Sequence, residues 1–221
     1  MGPSPVLELG LGRLWYIEPS YLLCGVVEDH APGLQGCRQS AYPARALRQR
    51  RLLTMMSIQT VATKSFEGQK PGTSGLRKRV TVFEQEHYTE NFVQCILSAI
   101  PGGARGATLV VGGDGRYLSL PTVQKIVRLA AGNGVAKLII GQNGILSTPA
   151  ASHVIRLRKA TGGILLTASH NPGGPNADFG IKYNVQNGGP APEAVTNKIY
   201  ELTTKIDHYF LQQGDDVDLS Q

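Results

Sequence analysis

Cysteine and histidine are scarce in this chain, and their spacing argues against several kinds of site. The 221 residues contain three cysteines and five histidines. The cysteines, Cys24, Cys37 and Cys95, form no C-x-x-C pair, and no H-E-x-x-H string occurs. A sparse, odd set of cysteines is not a disulfide framework and indicates a reducing compartment. Neither residue type therefore predicts a zinc site or thiol chemistry.

Long apolar runs and aromatic residues are also few. No run approaches the roughly 18 apolar residues that a membrane-spanning helix needs, so we expect no membrane partner. Aromatic residues make up 6% of the chain and do not alternate with its basic residues, which disfavours nucleic-acid binding. The net charge of +6 also suits a site that binds sugar phosphates. The G-x-S-x-G, G-x-G-x-x-G and Walker signatures are absent, so hydrolase, dinucleotide-binding and P-loop interpretations have no support.

The chain divides into three stretches by composition. Residues 1–55 are rich in Gly, Pro and Arg, and their apolar residues keep no sustained period. The string M-M-S at 55–57 resembles a natural start. We therefore predict that the native protein begins at Met56 and that 1–55 is a disordered or artefactual extension. Residues 56–210 are predicted to form the domain, and residues 211–221 an acidic tail.

Strand and helix patterns alternate after residue 56. Short apolar, β-branched runs alternate with segments whose apolar residues recur at helical spacing, and Thr89 and Ser119 are the predicted caps of the first two helices. The predicted strands are 108–111, 137–140, 163–167 and 179–183, and the predicted helices are 87–100, 120–131, 148–159 and 192–210. The alternation predicts an α/β fold with a sheet covered on both faces. In such sheets ligands bind at the carboxyl ends of the strands.

The segment T-A-S-H-N-P-G-G-P begins where the predicted strand 163–167 ends, so Ser169 lies where ligands bind. Its glycines and prolines form an irregular turn whose backbone N–H groups can approach an anion. A serine hydroxyl is a weak nucleophile and needs a base or a cationic environment, which His170 and Lys182 can supply. On the residues alone, a purely structural turn is the favoured alternative.

Three further loops contain groups that suit an anion or a cation. The segment 70–79, K-P-G-T-S-G-L-R-K-R, fits a phosphate-binding loop as well as a solvated basic loop. Asp114 lies between glycines at the end of a predicted strand. A turn or capping role is favoured there, because one carboxylate does not make a metal site. The loop at 141–149 leads into a helix N-terminus and is either structural or an anion site.

Together these segments resemble the α-D-phosphohexomutase superfamily, and within it the eukaryotic-type phosphoglucomutases. T-A-S-H-N-P is similar to the superfamily's phosphoserine signature, and the strings KPGTSGLRKRV, GQNGILSTPA and TASHNPGGPNADFGIKYN narrow the resemblance. The resemblance extends from about Ser57 to about Tyr209, covers the family's first domain and leaves out residues 1–55. It implies a three-layer α/β/α sandwich with a mostly parallel, mixed sheet.

The resemblance also implies roles for individual residues. Ser169 would carry the phosphoryl group, and one of its phosphate oxygens would ligate Mg²⁺. His170 would lie beside it, and Lys182 would move the proton of the sugar hydroxyl or stabilise the transferred charge. Thr73 and Arg77 would line the same cleft and bind the substrate. The family interconverts glucose 1-phosphate and glucose 6-phosphate through glucose 1,6-bisphosphate, which implies a cytoplasmic role in carbohydrate metabolism.

The chain departs from the family pattern because the strings of the other family domains do not occur in it. The Asp-Gly-Asp-Gly-Asp metal loop of domain II and the Gly-Glu-Glu-Ser sugar loop of domain III are both missing from the sequence. We therefore expect domains II–IV of the same enzyme to complete the site, and negligible mutase activity from this chain in isolation. Two alternatives stay open. One is a catalytically inactive relative with an interaction or structural role, and the other is a sister mutase for mannose or hexosamine phosphates.

Overall fold

A computed structural model of the chain describes residues 14–17 and 57–220. The predicted start at Met56, and all of residues 1–55 except 14–17, lie outside the described residues. The strands are β1 (Leu14–Ile17), β2 (Ile58–Ala62), β3 (Leu76–Arg79), β4 (Thr108–Gly113), β5 (Lys137–Ile145), β6 (Gly162–Leu166), β7 (Asp178–Val185) and β8 (His208–Gln212). The helices are α1 (Val80–Phe83), α2 (Tyr88–Ala99), α3 (Ser119–Gly132), α4 (Thr148–Leu157) and α5 (Glu193–Thr203). Among the described residues, no helix has the length and apolar content to cross a membrane.

The larger sheet has six strands in the order β1-β5-β4-β6-β7-β3. It is parallel at its centre, where β4 pairs with β5 and β6, and antiparallel at both sides. Successive residues of the central strands face opposite layers: Leu109 and Val111 pack in one apolar core and Val110 in the other. Helices α2, α3 and α5 contribute to the first core and α4 to the second. The predicted three-layer α/β/α sandwich with a mixed sheet is confirmed.

A second, two-stranded sheet corrects the prediction for the end of the domain. Strand β8 pairs antiparallel with β2 over five residues. The predicted helix 192–210 is therefore too long, because α5 ends at Thr203 and the chain continues as a strand. Tyr209 continues the helical spacing of apolar residues that begins in α5, which explains the prediction. Aromatic residues such as Tyr209 and Phe210 also favour a strand when a partner strand is available. The predicted domain boundary at residue 210 falls inside β8.

Residues 216–220, called the C-terminal strap below, pack on α3 and β5. Gln124 exchanges two hydrogen bonds with the backbone of Val217, at 2.8 and 3.0 Å. The backbone N–H of Asn143 donates to the carbonyl of Leu219 at 2.8 Å, and Leu219 is only 3% exposed. Much of the predicted acidic tail is thus a packed part of the domain.

The caps predicted for α2 and α3 are wrong. The N-cap residues are His87 and Leu118, which have left-handed φ values of 65° and 71° and make no side-chain capping bond. Thr89 lies inside α2, where its hydroxyl donates to the carbonyl of Phe83 at 3.0 Å. Ser119 is the first residue of α3. The spacing of apolar residues predicts the position of both helices. It does not predict their caps, because the direction from which the chain enters a helix depends on packing.

Candidate active site

Two loops meet at the carboxyl ends of the central parallel strands. The loop after β4 contains Asp114 and Arg116, and the loop after β6 contains Ser169. Ser169 is exposed and has a left-handed φ of 58°, a conformation in which a residue with a Cβ is strained. Backbone strain of this kind persists only where the surrounding structure enforces it.

A closed set of hydrogen bonds holds the backbone of Ser169. Its N–H donates to Thr167 Oγ1 at 2.9 Å, and the Thr167 hydroxyl donates to Asp114 Oδ2 at 2.7 Å. Asp114 accepts from Arg116, whose Nη2 donates to the Ser169 carbonyl at 3.2 Å. Both backbone polar groups of the serine are thus tied to the end of β4, and the hydroxyl remains free to face solvent.

Arg116 is the central donor of this arrangement. It makes a two-pronged contact with Asp114, with Nε to Oδ1 at 3.0 Å and Nη2 to Oδ2 at 2.9 Å. Its Nη1 donates to the carbonyl of Asp178 at 2.8 Å and more weakly to that of Asn171 at 3.4 Å. The Arg116 side chain is 8% exposed. Arginine suits this place because its planar fork can serve a carboxylate and several carbonyls together.

The carboxyl of Asp114 is held in its charged form. Burial alone raises its pKa, but hydrogen bonds from Arg116 and Thr167, together with the Arg116 charge, bring the pKa below its ordinary value. The sequence analysis favoured a turn or capping role for Asp114. The structure bears this out, because the backbone N–H of Arg116 donates to Asp114 Oδ1 at 3.3 Å, the bond of an Asx-type turn. The same carboxyl also accepts from Thr167, which joins the loop after β4 to the loop after β6.

His170 follows Ser169 in the chain but is only loosely connected to it. The His170 Nδ1 is 3.5 Å from Ser169 Oγ, at the outer limit of a hydrogen bond, and both residues are exposed. This contact is too long to activate the hydroxyl in the present arrangement. The environment of Ser169 is therefore set mainly by the partners of its backbone, Thr167 and Arg116.

Arg77 and Lys182 lie on neighbouring strands beside the serine loop. Arg77 on β3 pairs with Gly180 on β7, and the Gly180 carbonyl accepts from the N–H of Thr167 at 2.9 Å. A Cβ at Gly180 would collide with the Thr167 carbonyl and lie 3.1 Å from Arg77 Cγ, so only glycine fits between them. Burial and, to a smaller extent, the charge of Arg77 lower the pKa of Lys182. The Arg77 Nε is buried and has no hydrogen-bond partner among the described residues.

Thr73 lies in the tight turn that precedes β3. Gly72 and Gly75 close this turn with two backbone hydrogen bonds, at 3.2 and 2.9 Å. Residues of the turn, including Thr73, line a small cavity together with Lys182. Thr73 and Lys182 thus line the same small cavity, whose other lining residues are mostly apolar and do not include Arg77 or Ser169.

The described residues do not form a metal site by themselves. They contain no group of three or more His, Cys, Asp or Glu side chains placed to hold a metal ion. Asp114, the carboxylate in the loop after β4, already accepts hydrogen bonds from Arg116 and Thr167. A phosphate oxygen on Ser169 remains the one metal ligand that the family resemblance implies for this chain.

The comparisons with known proteins bear on the same region. Residues 68–210 match the family model described as "Phosphoglucomutase/phosphomannomutase, alpha/beta/alpha domain I". The chain belongs to this family. A phosphoglucomutase of Aspergillus fumigatus is 66% identical over 165 residues, which are 75% of this chain and 30% of the relative. "Phosphoglucomutase, cytoplasmic" of Pisum sativum is 60% identical over 166 residues, which are 72% of this chain and 28% of the relative.

A solved structure agrees with the sequence relatives. The open form of the exocytosis-sensitive phosphoprotein pp63/parafusin, a phosphoglucomutase from Paramecium, is 45% identical with a TM-score of 0.72. The similarity covers 75% of this chain and 31% of that chain. This chain therefore spans only about 30% of the length of the relatives that it matches.

Two residues of the site were not singled out from the sequence. Arg116 and Thr167 hold the Ser169 loop, yet neither was assigned a role. The available signal was position: Arg116 follows one central strand and Thr167 follows its neighbour, and the ends of parallel strands meet. What the residues could not reveal is that one guanidinium reaches three backbone carbonyls, because the loop adopts its path only in the folded chain.

Proposed function

We propose that this chain is the phosphoserine-bearing part of a phosphoglucomutase that interconverts glucose 1-phosphate and glucose 6-phosphate. The observation that supports it best is the loop of Ser169. The serine is exposed at the end of β6, its backbone is fastened by Thr167 and Arg116, and its hydroxyl is not engaged in a strong bond. Such preorganisation suits phosphoryl transfer, which depends on positioning and charge stabilisation.

In the proposed reaction, phosphorylated Ser169 donates its phosphoryl group to a sugar hydroxyl. The P–O bond to serine breaks as the bond to the sugar oxygen forms, and the hydroxyl proton leaves to a base. Glucose 1,6-bisphosphate results, reorients and returns its other phosphoryl group to the serine. Arg77 supplies positive charge beside the loop. Lys182 either stabilises the transferred charge as an ammonium or accepts the proton as a neutral amine, and its lowered pKa favours the second role. His170 and Thr73 contact the substrate.

Mg²⁺ is the proposed cofactor, with a phosphate oxygen on Ser169 as its ligand from this chain. When bound, such an ion neutralises charge on the transferring phosphoryl group. The carboxylate ligands would come from outside this chain, because the described residues offer no suitable cluster. We propose that domains II–IV of the same protein supply these ligands and the sugar-selecting groups, and that the enzyme acts in the cytoplasm.

The test uses this chain and a chimera in which it replaces the matched 165-residue region of the Aspergillus fumigatus relative. Each is incubated with glucose 1,6-bisphosphate and Mg²⁺, turnover is followed in a coupled assay, and phosphate is located by mass spectrometry. We expect negligible turnover from the chain alone, and both turnover and phosphate on Ser169 in the chimera. Ser169→Ala should abolish both signals.

A chimera that folds but carries no phosphate on Ser169 would contradict the proposal. That result would favour a catalytically inactive relative with an interaction role. Normal turnover by the chain alone would refute the role given to the missing domains. Circular dichroism on each protein separates these outcomes from a failure to fold.

A further inference from the structure

Strand β5 has an outer side that the rest of the sheet does not pair with. On its inner side, residues 137–140 pair with β4. On its outer side, residues 138–141 pair antiparallel with β1, in a register that runs from Leu14 opposite Gly141 to Ile17 opposite Leu138. Successive residues of a strand direct their backbone groups to alternate sides, so two of these four β5 residues direct N–H and C=O groups towards β1. In the described part of the chain, β1 is the strand that pairs with those groups.

The part of β5 that β1 covers has the composition of a segment that pairs readily with other chains. Residues 138–141 are Leu, Ile, Ile and Gly, with no charged residue and no proline. All four are buried, so they present no side chain to solvent that would oppose an approaching strand. Exposed edges of this composition are sites of edge-to-edge association. The C-terminal strap bonds to β5 only further along, where the Asn143 N–H donates to the Leu219 carbonyl at 2.8 Å.

The sequence around β1 suits a short edge strand. Residues 14–17 include two aromatic residues and a β-branched isoleucine, which favour strands. Glycines at positions 10 and 12 precede the run, and Pro19, which has no N–H to donate to a ladder, follows it. β1 has four residues where β5 has nine, and a very short edge strand offers little to a further chain.

We propose that residues 14–17 are an edge cover, which occupies β5 from within the same chain and keeps other chains from pairing with it. Residues 18–57 join β1 to β2 and can span about 130 Å when extended, whereas a domain of this size has a radius of gyration of about 15 Å. A tethered segment therefore reaches β5 at a far higher effective concentration than a second copy does. β1 lies outside residues 68–210, so the cover is not part of the matched family domain. The proposal concerns a surface and does not depend on the reaction proposed above.

Hydrogen exchange on the intact 221-residue chain tests the pairing directly. We expect the backbone amides of residues 14–17 to exchange about tenfold more slowly, or slower still, than in a synthetic peptide of residues 10–20. This protection should be the same at low and at high protein concentration, because the strand belongs to the same chain as β5. Exchange at the peptide rate would overturn the proposal. Protection that rises with protein concentration would overturn it in favour of a strand from a second copy.

A double proline substitution removes β1 without touching the core. Neighbouring strand residues direct their N–H groups to opposite sides, so in Tyr16→Pro/Ile17→Pro one of the two prolines must remove a ladder donor. Peptides covering 138–141 should then exchange about tenfold faster, while those from β7 stay unchanged. The fluorescence anisotropy of Trp15, the one tryptophan of the chain, should fall. Light scattering should show association that the wild type lacks.

Val26→Pro/Val27→Pro is the matched control, because it places two prolines before β2 but outside β1. It should match the wild type in exchange, anisotropy and scattering. Unchanged exchange of 138–141 in a folded Tyr16→Pro/Ile17→Pro variant would overturn the proposal. Faster exchange without association would overturn the protective role. If circular dichroism shows that this variant does not fold, exchange of residues 14–17 in the wild type decides.

Discussion

Replacing Arg116 by lysine tests whether this side chain fastens the serine loop. Lysine keeps the charge but cannot serve Asp114 and the backbone carbonyls together. The bond to the Asp178 carbonyl, at 2.8 Å, is the strongest of the carbonyl contacts, and such a charge-assisted bond contributes about 1.5–3 kcal/mol. The share due to Asp114 is smaller, because that side chain is 34% exposed and solvent screens the pair. We therefore expect the free energy of unfolding to fall by about 2 kcal/mol.

Urea unfolding followed by circular dichroism at pH 7 measures this loss. Hydrogen exchange on peptides covering 169–178 should show faster exchange in Arg116→Lys, because the loop loses its anchor. Arg128→Lys is the matched control: Arg128 pairs with Asp216 on the surface, with side chains 34% and 65% exposed, so the loss should stay below about 1 kcal/mol. If Arg116→Lys unfolds at the wild-type urea concentration and its loop exchanges at the wild-type rate, the anchoring argument is refuted.

Three further substitutions probe strain, charge and packing. Ser169→Gly should raise the free energy of unfolding by about 0.5 kcal/mol in urea titrations. The relief of left-handed strain, about 1–2 kcal/mol, exceeds the cost of the added chain entropy, about 0.4–1 kcal/mol. A lower free energy of unfolding in this variant would show that the backbone of Ser169 is not strained. The folded-state pKa of Asp114 is lowered, so its stabilisation is present above the ordinary pKa of 3.8 and is lost as the pH falls through the folded value. In Asp114→Asn the free energy of unfolding should therefore fall less steeply as the pH is lowered. An unchanged acid dependence would show that the Asp114 carboxylate does not stabilise the fold. Leu109→Ala, at a fully buried position, should cost about 2–5 kcal/mol in the same urea assay, and a loss below about 1 kcal/mol would mean that this core relaxes freely.

The sequence predicted the central part of the fold well because that part follows local rules. The apolar run at 108–111 and the helical spacing at 120–131 appear as β4 and α3, with the strand two residues longer than expected. The turn after β6 was also predictable, and with it the position of Ser169. These features depend on neighbours in sequence, so composition and period identify them.

The features that the sequence did not predict depend on contacts between distant residues. Strand β8 exists because β2 offers it a partner, and without that partner the same residues continue a helical period. Arg116 acquires its role from Ser169, Asn171 and Asp178, which lie more than 50 positions away in the chain. The left-handed entry residues of α2 and α3 likewise follow from how each helix packs on the sheet.

The basic residues of β3 have a second effect because β3 lies at the edge of the sheet. This strand is the last of the six, with β7 as its one neighbour in the described part of the chain, and three of its four residues are Arg77, Lys78 and Arg79. An open strand edge invites pairing with another chain, and like charges along it oppose that approach. The cations that suit a phosphate therefore also keep copies of the protein from joining edge to edge. Neutral substitutions in β3 would remove both properties, so any loss of activity in a chimera that carries them must be separated from aggregation before it is assigned to the site.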